Sequence, residues 1–176
     1  MTTIPRPATE ADIPAIAAIY AEAVRNGTAT FETEPPSEAE MGRRLAEIVG
    51  AGFPYLVAEH GGRVAGYAYA GPYHPRPAYR STVEDSVYVA PDARGLGLGR
   101  ALLAAVIAAC ERIDCRVMVA VIADTGSPAS VALHTGLGFV PAGRLRAVGH
   151  KHGRWLDTVL MQRRLGPGDD APPTRT

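Results

Sequence analysis

VEDSVYVAPDARGLGLGRALL runs from Val83 to Leu103. An alternating, strand-like run ends at Val89, Pro91 follows, and glycines then take every second position: Gly95, Gly97 and Gly99. The chain turns at once into an Ala/Leu/Ile-rich run with helical spacing. A strand, a glycine loop and a helix in that order offer bare backbone N–H groups and the positive end of a helix. Together these favour an anion, and a phosphate best of all. Glycine lets the ligand approach the backbone and tolerates positive φ. Arg94 and Arg100 flank the loop with guanidinium groups suited to charge-assisted hydrogen bonds.

Outward from this stretch, the apolar periodicity sets the order of elements. Thr9, with Asp12 three residues on, opens a helix that carries Ile13, Ile16, Ala17, Tyr20 and Val24 on one face. Asn26 to Ser37 breaks the pattern with a glycine and paired prolines, and Ser37 then caps a second helix. PYLVAEH and RVAGYAYAG, joined by Gly61-Gly62, read as a hairpin. Gly71 to Arg80 is a loop crowded with prolines, rings and arginines, and STVEDSVYV is a strand. ALLAAVIAACER is a helix, and RVMVAVIA is an apolar run expected of a strand buried on both faces. SPASVALHTGLG is a short helix, and two closing strands follow in FVPAGRLRAVGHKHG and RWLDTVLMQRRL. With a further strand in TIPRPA, this predicts an α/β (α+β) domain: a mixed sheet with helices on both faces. One domain is expected over residues 2–165, and residues 166–176 are expected to form a disordered tail.

Composition narrows the function. The 176 residues carry 18 Lys+Arg against 18 Asp+Glu. This balance lacks the basic excess of a nucleic-acid-binding protein. No apolar run is long enough to span a bilayer, and no signal-peptide pattern precedes the first helix. Cys110 and Cys115 lack CxxC spacing and have no partner His/Cys pair, so no metal site is expected and the cytoplasm is.

The phosphate loop discriminates among motifs. A P-loop would place Lys-Ser/Thr after the last glycine, where this chain has Arg100-Ala101. A dinucleotide fingerprint would space its third glycine one residue further on. Arg94-Gly95-Leu96-Gly97-Leu98-Gly99 matches the Arg/Gln-x-x-Gly-x-Gly/Ala pyrophosphate loop of acyl-CoA-dependent N-acetyltransferases. TIPRPATEADIPAIAAIY, TATFETEP, YAYAGPY, ASVALHTGLGF and GHKHGRWLDTVLMQ complete the likeness in order. From about Ile4 to Leu165 the chain resembles the GNAT superfamily, and within it the phosphinothricin and methionine sulfoximine/sulfone acetyltransferases.

The resemblance implies a central sheet splayed at an acetyl-CoA site, with Val87, Tyr88 and Val89 pairing their backbone with the pantetheine arm. It implies that Arg94, Gly95, Leu96, Gly97, Leu98, Gly99 and Arg100 cradle the pyrophosphate. Ser130 would lie on the second CoA-facing helix, and Ser127 stands where the family often has Asn. Acetyl transfer to an amine needs a base, an oxyanion donor and a proton for the thiolate. Glu84 is the expected base, directly or through water, with Asp85 facing away by strand alternation. His134 takes the place where many relatives have an acidic Tyr, and the N–H of Val87 or Tyr88 would polarise the carbonyl. Phe31, Glu34, Arg76, Tyr79, Arg80, His152 and Trp155 are the candidates for the acceptor pocket, with Arg76 or Arg80 clamping a carboxylate. The implied activity is acetylation of a small amino-acid-like substrate by a homodimer. The alternatives are a peptide N-terminal acetyltransferase and a non-catalytic acyl-CoA-binding module.

Overall fold

The computed structural model describes residues 4–124 and 128–174. Its elements follow the predicted order: β1 (Arg6–Pro7), α1 (Ile13–Asn26), α2 (Glu38–Gly50), β2 (Tyr55–His60), β3 (Arg63–Pro72), β4 (Thr82–Val89), α3 (Leu98–Arg112), β5 (Val117–Ala123), α4 (Ala129–Thr135), β6 (Val140–Lys151) and β7 (Arg154–Arg164). The seven strands form one sheet in the order β1-β2-β3-β4-β5-β7-β6. All neighbours are antiparallel except β4 and β5, which run parallel because α3 carries the chain back between them.

Local chemistry sets the boundaries. Thr9 N–H donates to Asp12 Oδ2 at 2.8 Å, and Arg6 grips the same carboxylate with both terminal nitrogens at 2.8 Å. These bonds to Arg6, assisted by Thr9, hold the Asp12 carboxyl down at about 2. Ser37 Oγ accepts from the Glu40 N–H at the start of α2. Gly61 and Gly62 both have positive φ, as a two-residue hairpin turn requires. α3 begins at Leu98, three residues before the apolar run suggested, because Gly97 takes the cap in the left-handed region at φ 81°.

Register divides the sheet into two working faces. Tyr67, paired with Tyr88, and Tyr69, paired with Ser86, point toward α1, whose Tyr20 meets the Tyr88 ring edge-on at 5.1 Å. Gly66, paired with Val89, faces α3, where a Cβ would lie 3.1 Å from Leu102. The fully buried Leu102, Leu103, Val106 and Cys110 of α3 pack on this second face with Val83 and Met118. Of the residues expected to form a disordered tail, several up to Thr174 carry hydrogen bonds to the domain. Arg116 donates to the carbonyls of Gly168, Ala171 and Pro172, and Thr174 bonds Asp114. No helix among the described residues is long and apolar enough to cross a membrane.

Candidate active site

β4 and β5 pair at only three positions, Thr82–Val117, Val83–Met118 and Glu84–Val119, and then part. β4 stays with β3 as far as Val89, and β5 stays with β7 as far as Ala123. The sheet therefore opens in its middle from Asp85 onward, and a cleft of about 860 Å³ fills the gap. That is enough for a cofactor-sized ligand. Its two strand walls are Asp85–Val89 and Ala120–Ala123. Among the described residues, Asp85 to Val89 have no strand partner on the β5 side, so this length of backbone is open to a ligand that pairs like a strand.

The glycine loop closes the wide end. Gly95 and Gly97 sit at φ 78° and 81°, where side chains other than glycine are strained. Gly95, Gly97, Leu98 and Gly99 line the cleft at the head of the 15-residue α3. Arg94 lines it too and reaches back to the Val89 carbonyl, while Arg100 donates to Gly136 O at 2.9 Å and so ties α3 to the end of α4. Val87, Tyr88, Val89 and Ser130 also line the cleft, as the motif reading expects. Leu96 does not, since its side chain points outward and is 53% exposed. Ser127 lies outside the described residues.

The acidic pair of β4 is placed the other way round from expectation. Asp85, not Glu84, lines the cleft. Strand alternation was read correctly, but the gap is lined from α1 as well as from α3 and α4, and Asp85 is the first residue of β4 past the last β5 pair. Asp85 is buried and its Oδ2 lies 3.0 Å from His134 Nε2, while His134 Nδ1 lies 2.7 Å from Ser130 O. Burial alone would lower the His134 pKa, but the hydrogen bond and charge of Asp85, with the Ser130 carbonyl, raise it above its ordinary value. The Phe139 ring packs edge-on against the imidazole at 4.9 Å.

Glu84 is half-buried at the apex of the splay, on the opposite face, with Ser86 and the tyrosines. Burial, then the neighbouring Asp85 charge, pushes its carboxyl up. The apex thus has a carboxyl of raised pKa on one face and an imidazole–carboxylate pair on the other.

Of the acceptor-pocket candidates, only His152 lines the cleft. It occupies the β6–β7 turn with φ 49°, followed by Gly153 at φ 73°, and its Nε2 lies 3.3 Å from Gly27 O. Its neighbours fasten the same loop. Lys151 Nζ donates to Thr30 O at 2.8 Å, and Arg154, which also lines the cleft, approaches Thr28 Oγ1 at 3.4 Å. Phe31 lies instead on Gly149 of β6, and Glu34 is exposed. Arg76, Tyr79 and Arg80 are exposed in the loop before β4, where Tyr79 meets the rings of Tyr73 and His74 edge-on. Trp155 is 68% exposed beside His150. Asp85 and Arg154 escaped the sequence reading. The GRW triplet contained a cue to Arg154, but nothing in the sequence pairs Asp85 with a histidine 49 residues away.

The acetyltransferase (GNAT) domain family matches residues 6–160. The chain is 57% identical over 162 residues to a phosphinothricin N-acetyltransferase of Alcaligenes faecalis, covering 92% of this chain and 82% of the relative. It is 44% identical over 168 residues to an L-methionine sulfoximine/L-methionine sulfone acetyltransferase of Pseudomonas paraeruginosa, covering 95% and 97%. The solved structure of a GNAT superfamily phosphinothricin acetyltransferase from Sinorhizobium meliloti in complex with AcCoA superposes with a TM-score of 0.96. It is 51% identical, with 99% of this chain and 94% of that one covered.

Proposed function

The chain belongs to the GNAT acetyltransferase family, and on that premise we propose that it moves the acetyl group of acetyl-CoA to the α-amino group of a small amino-acid-like acceptor of the phosphinothricin or methionine sulfoximine/sulfone type. The observation that carries this reading is the cleft itself. An open β4 edge leads from the apex at Glu84 to a loop whose glycines adopt positive φ at the head of α3. The donor set fits the ligand: amide groups for a pantetheine arm, and loop N–H groups with Arg94 and Arg100 for a pyrophosphate.

Each residue then has a task. Glu84, made more basic by burial, takes a proton from the acceptor ammonium, directly or through water. The N–H of Val87 or Tyr88 faces the charge that develops on the thioester oxygen. His134 supplies the proton that the departing sulfur needs. His152 and Arg154, held over the cleft by their contacts with residues 27 and 28, border the acceptor side. Arg154 offers a guanidinium for a carboxylate or phosphinate, alongside the exposed Arg76 and Arg80.

A homodimer and a cytoplasmic location belong to the same reading. β6 is a 12-residue edge strand, and Leu145, Val148 and Trp155 of the β7-β6 end are 48–68% exposed. A second copy covering this end removes a long open edge and apolar surface from water. The buried Cys110 and Cys115 thiols suit a reducing compartment.

Release of CoA thiol from acetyl-CoA tests the activity against phosphinothricin, methionine sulfoximine, methionine sulfone, ordinary amino acids and a short peptide. Turnover on the amino-acid analogues supports the reading. Turnover on the peptide alone moves the function to peptide acetylation, and acetyl-CoA binding without turnover on any acceptor contradicts an enzyme of this substrate class.

A further inference from the structure

Two parts of the chain meet at the mouth of the cleft. One is the loop after α1, where Gly27, Thr28 and Ala29 line the cleft, and the other is the β6–β7 turn, where His152 and Arg154 do. Four contacts close the seam between them. The Phe31 ring lies on Gly149, Lys151 Nζ donates to Thr30 O at 2.8 Å, His152 Nε2 lies 3.3 Å from Gly27 O, and Arg154 approaches Thr28 Oγ1 at 3.4 Å. The Lys151–Thr30 bond is the shortest of the three polar contacts, and the one in which both residues are buried.

An ammonium group taken out of water is costly unless its hydrogen bonds and its charge are answered. Thr30 O answers one hydrogen bond, and Glu32 is the neighbouring carboxylate whose charge favours the cation. A charge-assisted bond in such a place is strong and directional. Thr30 is held from its other side as well. The Tyr20 hydroxyl gives its one proton to Glu32 Oε1 at 3.0 Å, so the Thr30 hydroxyl, 2.8 Å away, donates to Tyr20. Arg44 of α2 in turn holds Glu32 at 2.7 Å. Thr30 is thus pinned between the β6–β7 turn and α1, and the cleft-lining residues just before it share that anchor. Neither Lys151 nor Thr30 itself lines the cleft.

We propose that Lys151 is a positioning residue for acceptor specificity: by fixing Thr30 it holds the seam shut behind a free amino acid and excludes acceptors that continue past their α-carboxyl group. This rests on the acetyltransferase reading above. An acceptor with its α-nitrogen at the apex directs the rest of the molecule outward, between the loop and the turn. Its carboxylate then meets the Arg154 guanidinium at the seam. A peptide carries an amide and a further residue at that point, and those atoms need the seam open.

Whichever of phosphinothricin and methionine sulfone turns over faster is compared with its glycine-extended dipeptide, which has the same α-amine and side chain and differs only past the carboxyl. CoA thiol release gives kcat/KM for both, in wild type and in Lys151→Met, which keeps the length and apolar stem but loses the donor. Wild type should prefer the free amino acid at least about 10²-fold. In Lys151→Met that ratio should fall at least about tenfold, through a higher KM for the amino acid and a gain on the dipeptide, while the Kd for acetyl-CoA stays within about twofold. A general loss of structure would slow both acceptors together and leave the ratio alone. Amide hydrogen exchange gives a second reading: residues 27–32 should exchange at least about tenfold faster in the variant, with α3 unchanged. If Lys151→Met does not fold, Tyr20→Phe removes the opposite hold on Thr30 and carries the same expectations. A ratio within about twofold of wild type overturns the proposal, as do unchanged exchange in the loop and a wild-type preference for the dipeptide. Wild-type protein that turns over no amino-acid acceptor overturns the functional reading, and the specificity role falls with it, while the exchange rates still decide whether Lys151 holds the loop.

Discussion

Replacing Glu84 by Gln removes the proposed base while keeping its size and half-buried place at the apex of the splay. The structure raises this carboxyl through burial and through the adjoining Asp85 charge. Its ordinary value is 4.5, and the upward shift makes it a stronger base. An α-ammonium that titrates around 9 is ~1% free amine at pH 7, so unassisted attack is limited by that fraction. A positioned base contributes about 10²–10⁴-fold, or roughly 3–5 kcal/mol of barrier. The variant should therefore lose at least about 10² in kcat/KM for the amino acid at pH 7, with acetyl-CoA binding unchanged. The deficit should shrink as pH rises toward 9, because solvent then does what Glu84 did. A pH series of initial rates by thiol release, wild type beside E84Q, reads both effects. Equal rates at pH 7, or a deficit independent of pH, would refute the assignment of Glu84 as base.

Three further outcomes follow from particular residues. Gly97→Val forces a β-branched side chain to φ 81° at the cap of α3, a strain of about 1–3 kcal/mol, and it should weaken acetyl-CoA binding at least tenfold by calorimetry. A Cβ at Gly149 would lie 2.4 Å from the Phe31 ring, so Gly149→Ala must move that ring. Because Phe31 is 40% exposed the displacement should cost only about 1 kcal/mol, or ~2–4 °C in Tm by thermal melting, with acetyl-CoA affinity unchanged. The third concerns pH and stability. Asp12 has its folded pKa depressed from 3.8 to about 2, so its contribution is complete above 3.8 and is lost as pH falls toward 2. The shift corresponds to about 2 kcal/mol, reduced to about 1–2 because the Arg6 side chain is 42% exposed. Urea titrations should show Asp12→Asn less stable by that amount at pH 7 and by about half of it at pH 3.

The sequence pattern exposed the elements and the phosphate loop because both are local. Helical spacing in α1 and α3, the Gly61-Gly62 turn and the run from Arg94 to Gly99 each depend on neighbours a few residues apart. What stayed hidden is relational. Alternation tells that Glu84 and Asp85 face opposite ways, but not which of them lines the cleft. That depends on where β5 leaves β4, after Val119, and so on how α3 returns the chain. The same limit hides the partner of His134. The acceptor-side candidates were chosen by residue type, yet loop paths bring His152 and Arg154 to the cleft while Phe31 rests on Gly149 and Trp155 stays in the open. The main-chain cue at His152 is its positive φ, a feature of the folded turn that residue type does not announce.

The most direct test of the central claim is to follow the acetyl group itself. Wild-type protein would be mixed with acetyl-CoA labelled with carbon-13 in the acetyl carbonyl and with phosphinothricin or methionine sulfone, and the label traced by NMR. Transfer to the α-nitrogen of the amino acid, matched mole for mole by CoA thiol, is the predicted result. Label recovered only as free acetate, or retained on the thioester in the presence of every amino-acid acceptor, would contradict it.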